Sequence, residues 1–164
     1  MARRRYYRRS VRVVAARKKW ASNLKNGSIA SSGTTLVVNS SQSDVPTPVI
    51  LKTGNFKVQG DVAIVSSSST GTASLVIYLA YVPEGYGISN LAGQHPEYIL
   101  GWTIVDAPVI SAGTLSANKY SITSRLKRNL NSGDRIVLFY EYTTTASDFA
   151  PEISYTAQYF TCAN

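Results

Sequence analysis

The chain has 164 residues, 44% of them hydrophobic and 16% charged, and a formal net charge of +8. So many apolar and so few charged residues exclude an intrinsically disordered protein, and the length suits one domain or one domain with a tail. One cysteine, Cys162, and one histidine, His95, exclude a disulfide framework, a multi-thiolate zinc site and a two-histidine metal site. We therefore expect no cofactor, and no apolar run is long enough to cross a bilayer as a helix.

The first predicted element is a cationic arm over residues 1–25, which holds ten bases and no acid, whereas residues 26–164 hold seven bases against nine acids. The arm bases are Arg3, Arg4, Arg5, Arg8, Arg9, Arg12, Arg17, Lys18, Lys19 and Lys25. Because clustered arginines repel one another, we predict that the arm is disordered in the absence of a polyanion. Phosphate is the expected polyanion, since arginine gives it paired hydrogen bonds. Tyr6, Tyr7 and Trp20 add rings that can stack on unpaired bases, which favours single-stranded nucleic acid.

Two other interpretations of the arm stay open. A mitochondrial transit peptide is also rich in arginine and poor in acids. A basic membrane-surface helix would begin at Ser10 and place Val11, Val14 and Ala15 together. A nuclear localisation signal is compatible with nucleic-acid binding. Nucleic-acid binding accounts for both the charge and the aromatic residues, so we predict that the arm binds nucleic acid. We predict no membrane partner.

From residue 26 onward, turns rich in Gly, Ser, Thr, Asn and Pro separate short stretches of strand-like alternation. Strands are predicted near residues 33–39, 53–65, 74–82, 98–105, 108–112, 118–126, 134–144 and 153–162. The long connection over residues 83–96 is expected at a subunit contact or on the outer surface, because Tyr86 and Leu91 are costly to leave in water. Eight antiparallel strands in this length predict an all-β sandwich or jelly roll.

Three stretches of the body, in this order and behind the arm, are familiar. They are TGNFKVQGD at 53–61, YVPEG at 81–85 with HPEYILGW at 95–102, and SRLKRNLNSGDRI at 124–136. Together they resemble the capsid protein of circular, Rep-encoding single-stranded DNA viruses, the circovirus-like group. The resemblance implies an eight-stranded antiparallel jelly-roll sandwich over residues 26–164, preceded by the disordered basic N-terminal arm over residues 1–25.

The same resemblance implies a structural protein and not an enzyme. Sixty copies would close into a T=1 icosahedral shell, with the arm pointing inward to a single-stranded DNA genome. The protein would then belong to the virion and, during assembly, to the host nucleus, with host nuclear import receptors as further partners. Nucleophilic catalysis also lacks support in the residues, because no serine lies in a Gly-x-Ser-x-Gly turn. The alternative is a cellular nucleic-acid-binding β-barrel protein with a basic extension.

Arg125, Lys127 and Arg128 form a second basic cluster. Strand alternation places Arg125 and Lys127 on one face, and Leu126 and Arg128 on the other. The cluster either contacts phosphates on the interior wall, or forms subunit salt bridges or a solvated strand edge.

Two other groups of side chains were weighed as sites. His95 with Glu97 is either a pH-sensing pair at a subunit contact or a packing residue. Asp148 and Glu152 flank Pro151 without the regular spacing of a calcium loop, so no metal site is predicted.

Overall fold

The computed structural model describes residues 20–29, 33–39, 50–66, 71–109, 116–144 and 149–163. The strands are β1 (Ala21–Ile29), β2 (Thr34–Asn39), β3 (Leu51–Ser66), β4 (Gly71–Val82), β5 (Ile99–Val109), β6 (Ser116–Leu130), β7 (Arg135–Thr144) and β8 (Phe149–Ala163). A short helix, α1 (Leu91–Gln94), and a 3₁₀ turn (Pro96–Tyr98) lie between β4 and β5. In the part of the chain described, no helix is long and apolar enough to cross a membrane.

The strands form two four-stranded sheets, ordered β1-β8-β3-β6 and β2-β7-β4-β5. Every neighbouring pair is antiparallel. β1 pairs with β8, β2 with β7, β3 with β6 and β4 with β5. The first half of the chain, β1 to β4, is therefore antiparallel to the second half, β5 to β8, and successive pairs of strands alternate between the two sheets. This is the double-sheet jelly roll. The predicted fold class is confirmed.

The hydrophobic core lies between the inner faces of the two sheets. In β3, the buried side chains Phe56, Val58 and Val62 alternate with the exposed Lys57 and Gln59, as the sequence predicts. The first half of β7 is buried on both faces. One of its two faces contributes to the core, and the other lies under a second hydrophobic cluster outside the sandwich.

Two of the strand predictions were wrong. β1 was not predicted, because it is an edge strand in which Ile29 is buried but Leu24 points outward and is 67% exposed, so the apolar alternation is weak. Residues 21–25, assigned to the arm from the sequence, belong to this strand. The strands predicted at 98–105 and 108–112 are not separate, because β5 continues unbroken to Val109; residues 110–112 lie outside the described residues. β5 accommodates Pro108 because it lies at a sheet edge.

The segment over residues 83–96, predicted as a loop, folds onto the outer face of the sheet β2-β7-β4-β5 together with Glu97 and Tyr98, and we call residues 83–98 the cap segment. Leu91 of α1 is only 2% exposed. It belongs to a cluster with Ala80 and Val82 of β4 and with Val137 and Phe139 of β7. Leu91 is therefore covered within one copy of the chain, whereas Tyr86 of the same segment remains exposed.

Replacing Leu91 by Ala is expected to lower the free energy of unfolding by about 2–4 kcal/mol, because it leaves a cavity under the cap segment. Urea denaturation followed by circular dichroism measures the change. Tyr86→Ala in the same segment is the control and should cost about 1 kcal/mol or less, since that side chain is exposed. Equal losses for the two variants would contradict the packing described for Leu91.

Candidate nucleic-acid interface

Five basic side chains project from the outer face of the sheet β1-β8-β3-β6, and we call them the basic face. They are Lys52 and Lys57 of β3 with Lys119, Arg125 and Lys127 of β6. Their orientation follows from alternation: in β3, Thr53, Phe56 and Val58 are buried inward, and in β6 Tyr120 and Ser124 are. The antiparallel register brings the basic residues of the two strands to the same part of the sheet. Lys57 pairs with Thr123, two positions from Arg125, and Lys127 pairs with Gly54.

The charges on this face are not neutralised by neighbouring acids. In the described ranges, none of the five bases has a carboxylate within ion-pair distance, and the ion pair seen there joins His95 and Glu97. The acids on the same face, Asp61 and Glu152, lie at the end that holds Lys119. The other end carries four bases and no acid. Such a concentration of one sign of charge attracts an anionic partner.

Trp20 brings the base of the arm onto the same face. It immediately precedes β1 at one edge of the sheet, yet its ring lies 5.6 Å from the Nζ atom of Lys127 in β6, at the opposite edge. Three strand spacings, about 14 Å, separate the two edges. The side chains of Trp20 and Lys127 therefore reach toward each other over the outer face of this sheet, which places the Trp20 ring on the basic face.

Two residues predicted to bind nucleic acid have partners within the fold. Lys25 lies beside the core residue Ala157, and its Nζ atom donates a hydrogen bond of 2.6 Å to the Leu36 carbonyl oxygen, which ties β1 to β2. Arg128 faces away from Arg125 and Lys127, as alternation predicts. It donates a hydrogen bond of 2.9 Å to the carbonyl oxygen of Glu97 and lies 6.0 Å from the ring of Tyr81, so it holds the cap segment.

The other residues predicted to form the arm site are not among those that the structure describes. The arm bases within residues 3–19, together with Tyr6 and Tyr7, lie outside the described residues, as does Asp148. Within the described ranges, no three His, Cys, Asp or Glu side chains are grouped so that they could hold a metal ion.

Asp134 is a buried carboxylate that sequence reasoning missed. It is 4% exposed and accepts hydrogen bonds from the Tyr81 hydroxyl at 2.9 Å and from the backbone N–H groups of Glu84 at 3.1 Å and Asn131 at 2.8 Å. Burial and the bond to Asp134 raise the pKa of Tyr81 to about 12. Asp134 thus fixes the β6–β7 turn to the start of the cap segment. Its place at the end of an Asn-Ser-Gly-Asp turn was the available signal.

His95 and Glu97 lie in an aromatic group of the cap segment. The Nδ1 atom of His95 is 3.0 Å from Oε1 of Glu97, and the imidazole stacks on Tyr98 with 5.1 Å between ring centres. Tyr86 meets both rings edge-on. Hydrogen bonds from its own backbone and from His95 lower the pKa of Glu97. The contacts give His95 a packing role inside one chain, and a pH-sensing role stays a prediction.

The outer face of the other sheet has the opposite character. Trp102 and Ile104 of β5 are 60% and 51% exposed, beside a cavity of about 590 Å³ that Val76 and Tyr78 also line. Near this cavity the charged side chains are acidic, Asp106 and Glu141, while Arg135 lies at the start of β7 on the same face. The two outer faces of the sandwich are therefore a basic one and a largely apolar one.

Comparison with known proteins gives distant structural likenesses only. No family model matches the chain, and no curated protein does. Among solved structures, the chain is similar to the VP2 subviral particle of infectious bursal disease virus, with 10% identity and a TM-score of 0.38 over 85% of this chain and 32% of that one. It is also similar to the Gt and Gx strain structures of that virus, with 12% and 9% identity and TM-scores of 0.31, over 89% and 90% of this chain. The chain spans about a third of the length of the chains it matches.

Proposed function

We propose that this chain is the coat protein of a circovirus-like single-stranded DNA virus. Copies of the jelly roll would close into an icosahedral shell, with the basic face and the arm turned toward the packaged strand. The observation that carries the proposal is the position of Trp20. This residue directly follows the nine bases of residues 1–19 and lies on the outer face whose one end holds four bases and no acid.

The charge distribution supports an orientation of the subunit in such a shell, with the basic face lining the interior. Sixty arms of nine bases, Lys25 being part of β1, would bring roughly 540 positive charges to the interior, enough to neutralise a comparable number of phosphates. Each basic face would add a net of three positive charges, its five bases less Asp61 and Glu152. The opposite face offers no base along β4, β5 or the outward side of β7 apart from Arg135 at its start, so only one orientation of the subunit presents a cationic wall to the genome.

The apolar face supports self-association. A tryptophan and an isoleucine that are each more than half exposed, beside an apolar cavity, are typical of a protein contact surface. A second copy of the chain would supply the burial that Trp102 and Ile104 lack. The cellular alternative, a small closed nucleic-acid-binding barrel, is not favoured because the strands form two separate sheets.

Electron microscopy of the purified full chain tests the proposal. The protein is freed of nucleic acid by nuclease and high salt, then returned to low salt with or without circular single-stranded DNA. We expect uniform closed particles whose ratio of absorbance at 260 and 280 nm rises only when DNA is present. A protein that binds oligonucleotides but stays monomeric under all these conditions would overturn the coat-protein proposal and favour a nucleic-acid-binding module.

A further inference from the structure

We infer that Trp20 is a base-stacking residue. With Lys52, Lys57, Arg125 and Lys127, it forms a binding site for single-stranded nucleic acid on the body of the protein, distinct from the arm. The inference rests on the proposed function, because it names the ligand of the basic face. The inference goes beyond the proposed function because it assigns the side chain of Trp20 a direct contact with an unpaired base.

The environment of Trp20 is that of a binding residue and not of a core residue. Its side chain is 45% exposed and belongs to neither hydrophobic cluster. The Lys127 ammonium lies 5.6 Å from the ring centre, within the range of a cation–π interaction. That contact holds the ring over the sheet while much of its surface stays open.

Gly54 explains how Lys127 reaches the ring. A Cβ atom at this position would lie 2.7 Å from Cγ of Lys127 and 3.1 Å from the Leu126 carbonyl oxygen. The absence of a side chain at Gly54 therefore lets the stem of Lys127 lie close against β3. The next residue, Asn55, has a φ of 54° at a register shift in β3. The TGN part of the first sequence motif thus shapes the sheet under the basic face.

The surroundings of Trp20 match a nucleic-acid strand whose bases are unpaired. One end of the face holds four basic residues and no acid: Lys52, Lys57, Arg125 and Lys127. Exposed neutral side chains such as Thr123 and Gln158 lie among them. Cationic side chains that track phosphates, with an aromatic ring for stacking, are the usual means of holding single strands. A duplex keeps its bases stacked inside, so it would leave the ring of Trp20 without a partner.

The chain contains its own control, because its two tryptophans lie on opposite outer faces. Trp102→Phe leaves Trp20 as the only tryptophan, and Trp20→Phe leaves Trp102. Each full-length variant, freed of nucleic acid, is titrated with oligothymidylate, with a DNA duplex and with inorganic polyphosphate while tryptophan fluorescence is recorded. We expect oligothymidylate to quench Trp20 strongly and Trp102 little, and polyphosphate and the duplex to quench neither.

Affinity measurements complete the test. Trp20→Leu keeps an apolar side chain over the sheet but cannot stack, and it should weaken oligothymidylate binding about tenfold without changing the salt dependence, because no charge is removed. Lys127→Gln should instead reduce the salt slope by about 0.7, the contribution of one phosphate on a single strand. If DNA binds with normal affinity and Trp20 is not quenched, or polyphosphate quenches it equally, the stacking role is overturned while the proposed function stands. If no DNA binds at all, both fail.

Discussion

Deletion of residues 2–19 is expected to leave the body folded and to weaken single-stranded DNA binding by roughly a thousandfold at 50 mM salt. The deletion removes nine of the ten arm bases, so the formal net charge falls from +8 to −1. Each neutralised phosphate on a single strand contributes about 0.7 to the salt slope, so the slope should flatten by up to about 6. Filter binding or fluorescence anisotropy across a salt series measures both quantities.

The matched control for the deletion replaces the seven arm arginines by lysine, which keeps the charge and removes the paired hydrogen bonds. Its salt slope should stay close to that of the unaltered chain. The truncated body should retain weak binding with a slope of about −3 from the basic face. If the truncated protein kept its full affinity and slope, the arm would not be the main binding element, and Lys57, Arg125 and Lys127 would be the first residues to replace.

The end point of the deletion matters because β1 begins at Ala21. Removing residues 2–19 leaves Trp20 and every β1–β8 pair, from Ala21 with Thr161 to Ile29 with Ile153. A deletion through residue 25, the boundary suggested by charge alone, would remove half of β1 and the hydrogen bond from Lys25 to Leu36. The longer truncation should therefore also lose stability, which would mix a folding defect with a binding defect.

The sequence predicted those strands whose alternation is set by burial on one face. β3 is the best example, since Phe56, Val58 and Val62 point into the core and charged or polar residues separate them. β1 escaped prediction because an edge strand needs few buried side chains, and its Asn, Ser and Gly residues read as a turn. The helix α1 escaped because four residues are too few for a helical period to show.

The candidate site was only partly accessible from sequence for a different reason. Lys52 and Lys57 lie more than sixty positions before Arg125 and Lys127, and only the antiparallel register of β3 with β6 makes them neighbours. Local spacing grouped Arg128 with Arg125 and Lys127, whereas its partners, Tyr81 and the Glu97 carbonyl, come from the cap segment. Long-range pairing of this kind is fixed by the whole fold and leaves no mark within a short window of sequence.

Replacement of Asp134 by Ala is expected to destabilise the protein by about 3 kcal/mol, the largest loss we expect from any single polar substitution. The change removes the carboxylate that accepts hydrogen bonds from the Tyr81 hydroxyl and from the backbone N–H groups of Glu84 and Asn131. These three donors would lose that acceptor at a buried position. Tyr81→Phe removes one donor and keeps the carboxylate, so it should cost about 1–2 kcal/mol. Urea denaturation at pH 7, followed by circular dichroism, gives both values.

The pH dependence of the same pair gives an independent measurement. Because the pKa of Tyr81 is about 12 in the folded protein and 10.0 in its ordinary state, folding favours the protonated phenol. Its contribution to stability is complete below pH 10 and is lost as the pH rises toward 12. Other tyrosines with raised pKa values, among them Tyr140 and Tyr159, are present in both proteins and cancel in the comparison. The unaltered chain should therefore lose stability faster than Tyr81→Phe between pH 10 and 12, and parallel curves for the two proteins would show that folding does not raise the pKa of Tyr81.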